Sequence, residues 1–553
     1  MDKYYLKRIL VLILLSYIFL MWGNGILNLT NPDEVFYTQT AKEMIRHQSW
    51  LTPYLFGQPQ FEKPIFTYWL LKFIFTFFGI SNFTARFFPA LFAMAGVVAV
   101  YALGLLAFKE EKKAFLSGLI LMSSGLYIGL ARTVFTDMIF SVLILWALLS
   151  FFWGYSRKNR KKPGLILFFF FTALAVLTKG PLGLMIPLLI IASFLLVNQK
   201  ELRFLFCKEF LGWGFFTFMI IALPWYMYIL SRYGHGFIQE FFYNDHIRRF
   251  LIAEHSGNDT WYFYPAAIIG CLFPWSILML CALAYLIKRL REGNNPFHLF
   301  LICWIAVVFL VFQASHSKLI SYILPLVPAF PLIIADFIYS FIADTQKRRF
   351  VFAPFLITAI SFLIISVGLG IGTCLFMSGF AEYVSLRAPL CTLSLLWFIL
   401  AILLTILAIR HKYAQFAYLL ACYMLAFFGV FPFAVKGIAP FVSSKDICAY
   451  LLKDYKDEGV ILCAKPFVRG VRYYTDKPVA VYGSNFFSPH PVPCVSTDEE
   501  VTEFLQKQPI TFAVLTKSTM RNIVNLIENQ KGLKCILLKT AGNEYLLKIN
   551  HDT

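Results

Sequence analysis

The sequence predicts an all-α bundle that crosses a membrane many times and ends in a smaller exported α/β domain. Three observations carry this reading. Apolar residues make up 59% of the 553 residues and charged residues only 14%, against ~25% charge in a typical soluble chain. The apolar residues gather into 13 runs, most of them near the ~20 residues that a membrane helix needs. The formal charge of +19 is unevenly spread, since residues 436–553 hold 15 Lys/Arg against 12 Asp/Glu. Most of the excess therefore sits in short loops between apolar runs, where basic residues set topology. That excludes an ordinary soluble enzyme as the class and nucleic acid as the leading partner.

The runs fall at 9–28, 84–108, 115–131, 134–154, 164–178, 180–198, 210–230, 262–287, 297–313, 319–342, 350–376, 388–409 and 414–434. A further run at 65–80 is aromatic and amphipathic and reads as a helix lying at the membrane interface. Twenty-two basic residues lie on alternate loops: Lys3, Lys7, Arg8; Lys109, Lys112, Lys113; Arg157, Lys158, Arg160, Lys161, Lys162; Lys200, Arg203, Lys208; Lys288, Arg289, Arg291; Lys347, Arg348, Arg349; Arg410, Lys412. These loops are expected inside, which puts the N-terminus in the cytoplasm and, after an odd number of spans, the tail outside. The first run lacks a small-residue cleavage site and reads as a retained anchor. The expected organisation is a membrane domain over 1–435, with a long first outer loop at 29–83, and an exported domain over 436–553.

In the tail, helical patterns at 443–456, 497–507 and 518–530 alternate with strand-like runs Val460–Ala464, Val479–Tyr482 and Thr511–Leu515. A hairpin is expected at Lys534–Asn550, turning at Gly542-Asn543. Cys448, Cys463, Cys494 and Cys535 sit mostly inside these elements, at no metal-like spacing, and read as unpaired core thiols.

Candidate chemistry gathers on the outward side. Asn31-Pro32-Asp33-Glu34 opens a helical pattern with Phe36, Thr40 and Met44 in phase. Asp33 either caps that helix, which is worth ~1 kcal/mol, or serves in catalysis. Two adjacent carboxylates at a membrane surface are costly and favour the second reading. Gln60-Phe61-Glu62-Lys63-Pro64 then leads into Tyr68-Trp69, where a lysine at headgroup depth suits a phosphate. Asp137 lies inside a span-like run, with Arg132 as its plain ion-pair partner and an active-site role as the alternative. Thr178-Lys179-Gly180-Pro181, Asn244-Asp245-His246-Ile247-Arg248-Arg249-Phe250 and Ser315-His316-Ser317-Lys318 with Tyr322 complete the set. Each cation alone could be a snorkelling anchor. Together they describe a pocket for a phosphate head on a long lipid tail. His235, His246 and His255 lack paired zinc spacing, no cofactor is assigned, and a divalent ion is left open.

These motifs, in this order, resemble the aminoarabinose (4-amino-4-deoxy-L-arabinose) lipid A transferase family, within the GT-C glycosyltransferases that include the protein O-mannosyltransferases. The motifs are Asp-Glu…Tyr, Phe-Glu-Lys-Pro…Tyr-Trp, an outer Asp, Thr-Lys-Gly, His-x-x-Arg-Phe and Ser-x-x-Lys-Leu-x-x-Tyr-Ile-Leu-Pro. The resemblance implies a GT-C bundle in the inner membrane of Gram-negative bacteria. It implies inverting transfer of a sugar from undecaprenyl phosphate to lipid A or another periplasmic acceptor, with membrane lipids as surroundings. In this family such chemistry belongs to lipopolysaccharide modification and polymyxin resistance. Family roles fall on Asp33, Asp137 and Glu34 as active-site carboxylates. Lys63, Lys179, Arg249 and Tyr322 fall as donor-phosphate ligands, with Tyr37, Glu62, His246 and Lys318 as further substrate contacts. The sequence departs at Phe36, where the family commonly has arginine.

The chain carries no Gly-rich nucleotide-phosphate loop, so a lipid-linked donor is preferred over a nucleotide sugar. Two alternatives stand beside lipid A transfer: transfer to protein Ser/Thr, and a lipid transporter. Asp336, a carboxylate inside a later run with no evident partner in the sequence, is the best residue for the transporter.

Overall fold

The structure, a computed structural model, describes residues 3–157, 160–198, 209–254, 256–293, 295–343, 348–376, 384–434, 438–455, 459–483, 492–528 and 532–551. Of the basic loop residues used for orientation, Lys158, Lys200, Arg203, Lys208 and Lys347 lie outside these, as does His255. Two compact units are present: Met1–Asn24, Lys63–Thr67 and Arg86–Ala434 in the first, and Gly25–Glu62, Tyr68–Ala85 and Val435–Thr553 in the second.

The first unit is a helical bundle of a multi-pass membrane protein. Among the described residues, seven helices are long and apolar enough to span: Asn82–Phe108, Thr136–Ser156, Lys161–Lys179, Gly212–Leu251, Pro296–Gln313, Phe352–Leu375 and Leu390–Ile409. Three expected runs are helix pairs bent at a break: Glu111–Met122 with Gly125–Ala131 (64°), Phe263–Cys271 with Ser276–Glu292 (112°), and Ile320–Leu326 with Ala329–Phe341 (54°). Counting each pair as one span gives up to 10. The sharpest bend falls at Phe273-Pro274, because proline supplies no amide and pushes the preceding residue out of helical backbone. Leu182–Val197 and Tyr413–Phe428 are shorter apolar helices, and the first run is Lys3–Ser16 followed by a π-helical turn, Tyr17–Met21. Small residues let neighbours close up: a Cβ added at Gly164 would lie 2.7 Å from the Gly154 Cα on the adjacent helix, the close-packing device of membrane helices.

Gly212–Leu251 runs for 40 residues, about twice what a span requires. Its backbone leaves helical geometry at Gly234 (φ +49°) and then winds as a π-helix over Ile238–Arg248, a rare form that is frequent at functional sites. The polar sequence Asn244–Arg249 thus lies at the far end of a long helix.

The second unit joins residues 25–62 and 68–85 to the tail. The N-terminal part of this unit forms the helix Asp33–Arg46, a small hairpin of β1 (Tyr54–Leu55) and β2 (Gln58–Pro59), and most of the amphipathic helix Phe66–Phe78. Phe73, Phe77 and Phe78 stand exposed on that last helix. The tail holds a six-stranded mixed sheet in the order β5-β4-β3-β6-β8-β7, built from β3 (Ile461–Ala464), β4 (Val479–Tyr482), β5 (Cys494–Val495), β6 (Ile510–Leu515), β7 (Leu533–Ala541) and β8 (Glu544–His551). Strands β5, β4, β3 and β6 run parallel, and the β7/β8 hairpin closes the edge antiparallel. Helices Lys445–Asp454, Val468–Thr475, Asp498–Gln506 and Lys517–Glu528 flank it. A capping box between Thr497 and Glu500 starts the third of these. The four tail cysteines are free thiols.

Sequence neighbours of Asp33 bind the tail directly. The Asn31 amide donates to the Val442 carbonyl at 2.8 Å, the Asn31 side chain donates to Ser444 Oγ at 2.6 Å, and Lys42 and Arg46 both pair with Asp476 at 2.7 Å.

Candidate active site

The first unit contains a cavity of about 760 Å³. Its lining includes the apolar residues Leu182, Met185, Leu189, Leu310 and Val311 together with Lys63, Lys179, Asp245, His246, Arg249 and Tyr322. Five sequence-predicted residues therefore line one space, although they come from positions 63, 179, 246, 249 and 322.

Each of these side chains has a local reason for its place. Lys179 is the last residue of Lys161–Lys179, where a cation is favoured by the helix C-terminus, and Asp137 sits in the first turn of Thr136–Ser156, where a carboxylate is favoured. Both are buried, and Lys179 Nζ reaches Asp137 Oδ1 at 2.5 Å. Arg132 is not the partner of Asp137: its guanidinium donates to the Phe19 carbonyl at 2.6 and 3.0 Å. The Tyr322 ring lies 4.3 Å from Lys179 Nζ, a cation–π contact strengthened by burial.

Gly180 ends the Lys179 helix with φ +80°. An added Cβ would lie 2.6 Å from His246 Nε2 and 2.8 Å from the Phe241 ring. Only glycine lets the π-helix approach this turn. His246 is held there by Nδ1, 2.7 Å from the Phe241 carbonyl oxygen, with Nε2 3.4 Å from the Lys179 carbonyl oxygen.

Asp245 is central to the polar lining. Lys63 Nζ pairs with Oδ2 at 2.6 Å and Arg249 Nη1 with Oδ1 at 2.7 Å, while Arg249 also meets Glu254 at 3.3 Å. The sequence places Asp245 within a candidate motif but gives it no role of its own. Its signal was the i,i+4 spacing to Arg249. Backbone amides of Ser317 and His316 donate to the Arg249 and Phe250 carbonyls, fixing the loop at the cavity edge. Lys318 does not line the cavity; it pairs with Asp259 at 2.8 Å, as does His316.

The remaining predicted residues belong to the second unit. Asp33 stands exposed in the first turn of its helix. Glu34 is fully buried and folds back to accept from the Thr30 amide at 2.9 Å and hydroxyl at 3.0 Å. Tyr37 is buried, its ring against Phe36 and Tyr68. Glu62 pairs with Arg469 at 3.6 Å, and the same guanidinium lies 4.5 Å from the Phe36 ring. A tail arginine thus stands beside the position where the resembled family has its own, which no local pattern could reveal. Among the described residues, no group of three His, Cys, Asp or Glu side chains is placed to hold a metal ion.

Known proteins share parts of this sequence, and one shares its fold. Residues 62–228 match the family model for dolichyl-phosphate-mannose-protein mannosyltransferase. An uncharacterized protein of Aquifex aeolicus is 32% identical over 344 residues, covering 62% of this chain and 64% of that one. The undecaprenyl phosphate-alpha-4-amino-4-deoxy-L-arabinose arabinosyl transferase of Photorhabdus laumondii is 29% identical over 317 residues, covering 56% of this chain and 55% of its own. The chain thus spans about 55 to 64% of the length of these curated relatives. In structure, ArnT from Cupriavidus metallidurans bound to undecaprenyl phosphate superposes with a TM-score of 0.80 at 18% identity, covering 98% of this chain and 97% of that one. By motif order and sequence the chain is similar to the aminoarabinose lipid A transferases among the GT-C glycosyltransferases, and its fold is that of ArnT.

Proposed function

We propose that this protein is an inverting glycosyltransferase of the bacterial inner membrane. It moves a sugar, 4-amino-4-deoxy-L-arabinose or a relative, from undecaprenyl phosphate to lipid A on the periplasmic face. In this reading all 13 runs cross the membrane, the N-terminus is cytoplasmic, and the tail is periplasmic. The observation that carries the reading is a single cavity lined both by apolar side chains and by three cations, Lys63, Lys179 and Arg249. An isoprenoid phosphate has the same two parts. Relatives named for undecaprenyl phosphate-linked aminoarabinose transfer support the choice of donor.

Lys63, Lys179 and Arg249 stabilise the phosphate as the sugar–oxygen bond breaks and its electron pair moves onto that oxygen. Preorganised cations in a poorly hydrated site are worth far more than in water. Tyr322 and His246 shape the headgroup site, and Asp137 holds Lys179 in its orientation. Asp33 acts on the acceptor: as general base toward a hydroxyl, or by orienting an acceptor phosphate that is already anionic. Glu34, Tyr37 and Glu62 support the second unit that carries Asp33, and Lys318 braces its own loop through Asp259.

The test is mass spectrometry of lipid A from cells with and without the gene, complemented by wild type, Lys63→Ala or Asp33→Asn. Sugar-modified lipid A is expected only with wild type. Sugar on periplasmic protein Ser/Thr instead would move the reading to protein O-glycosylation. Full modification with both variants would remove the proposed site.

A further inference from the structure

We propose that Asp245 is a resident counter-ion of the phosphate clamp, which occupies Lys63 and Arg249 in the unloaded protein and limits how tightly they hold the phosphate released by transfer. This rests on the reading of the cavity as a polyprenyl phosphate site.

Three features lead here. Asp245 presents one carboxylate oxygen to each of two cations, at 2.6 and 2.7 Å, just as two oxygens of one phosphate would. All three groups line the same cavity. Each cation named in its lining is already paired: Lys63 with Asp245, Arg249 with Asp245 and Glu254, and Lys179 with Asp137. An arriving phosphate therefore does not meet bare cations. It must share Lys63 and Arg249 with Asp245 or displace its carboxylate.

The charge change in the reaction gives this arrangement a purpose. A sugar-linked phosphate diester carries one negative charge. Once the sugar leaves, the monoester gains a second ionisation near pH 6 and carries about −1.5 to −2 at neutral pH. A clamp of uncompensated cations would grip this product more strongly than the donor, and turnover would stall on release. With Asp245 as competitor, part of that excess attraction is withheld, and the carboxylate takes back its partners as the product departs.

The experiment uses the full chain in detergent micelles with farnesyl phosphate as the probe. Asp245→Asn is expected to bind the probe about tenfold more tightly, within the range of coupling seen between close charge pairs. In turnover it lowers kcat without raising KM, and inhibition by added farnesyl phosphate becomes stronger. Asp245→Glu, which keeps the charge, restores wild-type binding. Equal or weaker binding by Asp245→Asn would overturn the proposal and leave Asp245 as a structural ion pair. Lys63→Ala and Arg249→Ala separate the two levels: if both bind the probe like wild type, the phosphate reading itself fails. Should Asp245→Asn not fold, the double variant Lys63→Gln/Asp245→Asn removes one charge of each sign. Counter-ion action predicts probe binding within about threefold of wild type for it. A loss as large as that of Lys63→Ala alone contradicts it.

Discussion

Asp245 and Asp336 are both buried carboxylates of the helical bundle, and each is gripped by more than one donor. Asp336 takes Lys113 at 3.0 Å, His298 at 3.1 Å, Tyr285 at 3.4 Å and Ser340 at 3.5 Å. These partners come from four helical segments and surround it. Asp245 takes two cations and borders a cavity of about 760 Å³. Burial and pairing are alike at the two places; access is not. A charge inside a membrane bundle points to chemistry only where a substrate can reach its partners. Asp336, the best candidate for a transporter in the sequence, has partners that read as a clasp between helices.

The largest expected effect separates the two clusters by activity. Lys63→Ala and Arg249→Ala should each lower sugar transfer by about 10²–10³, the usual loss when one preorganised charge-stabilising group is removed. Transfer per folded molecule is the readout, because either variant also removes one of the two cations paired with Asp245. Asp336→Asn should instead lower stability. Breaking a buried pair costs about 3–5 kcal/mol, read as a fall in the melting temperature, while transfer per folded molecule stays within a few-fold. If Asp336→Asn abolished transfer in protein that remained folded, the contrast would break.

Gly180→Ala comes next. The added methyl meets His246 at 2.6 Å on a backbone with φ +80°, a conformation costing about 1–3 kcal/mol for other residues. Transfer should fall at least tenfold through displacement of His246 and its helix. Gly129→Ala, at a position with open space around it, should be silent in the same assay.

A smaller effect tests the second unit. Glu544 is buried and accepts from Ser444 at 2.7 Å and Asn31 at 3.4 Å. Burial pushes its carboxyl up to about 7, against the opposing Ser444 bond. Because the folded value lies above the ordinary 4.5, Glu544 favours folding at low pH, and this contribution is lost as pH rises through about 7. The shift corresponds to about 3 kcal/mol between pH 4.5 and 7. Amide exchange across the strands of the tail should quicken from pH 5 to pH 8, after correction for intrinsic rates, and Glu544→Gln should flatten that dependence. A wild-type tail equally protected at both values would contradict it.

What the sequence made legible follows from range. The apolar runs are local, so helices occur at all 13 of them, yet breaks within runs blurred which are single spans. The run 115–131 hides a turn at Ser123-Ser124, and 319–342 a bend before Ala329. Helix Val468–Thr475 was missed because Gly470 and the β-branched and aromatic residues around it are weak helix formers. Motif order led to Lys63, Lys179, His246, Arg249 and Tyr322. Pairings stayed hidden: Lys63 finds Asp245 across 182 positions, Lys113 finds Asp336 across 223, and Arg469 reaches Glu62 from the tail. Only folding supplies those.

The central claim is that the cations of this cavity exist to hold an isoprenoid phosphate. Calorimetric titration of undecaprenyl phosphate into the purified full chain tests it most directly, with wild type, Lys63→Ala, Arg249→Ala and Lys113→Ala side by side. The account predicts at least tenfold weaker binding for the two cavity variants and wild-type affinity for Lys113→Ala. Equal affinity in all four proteins would contradict it.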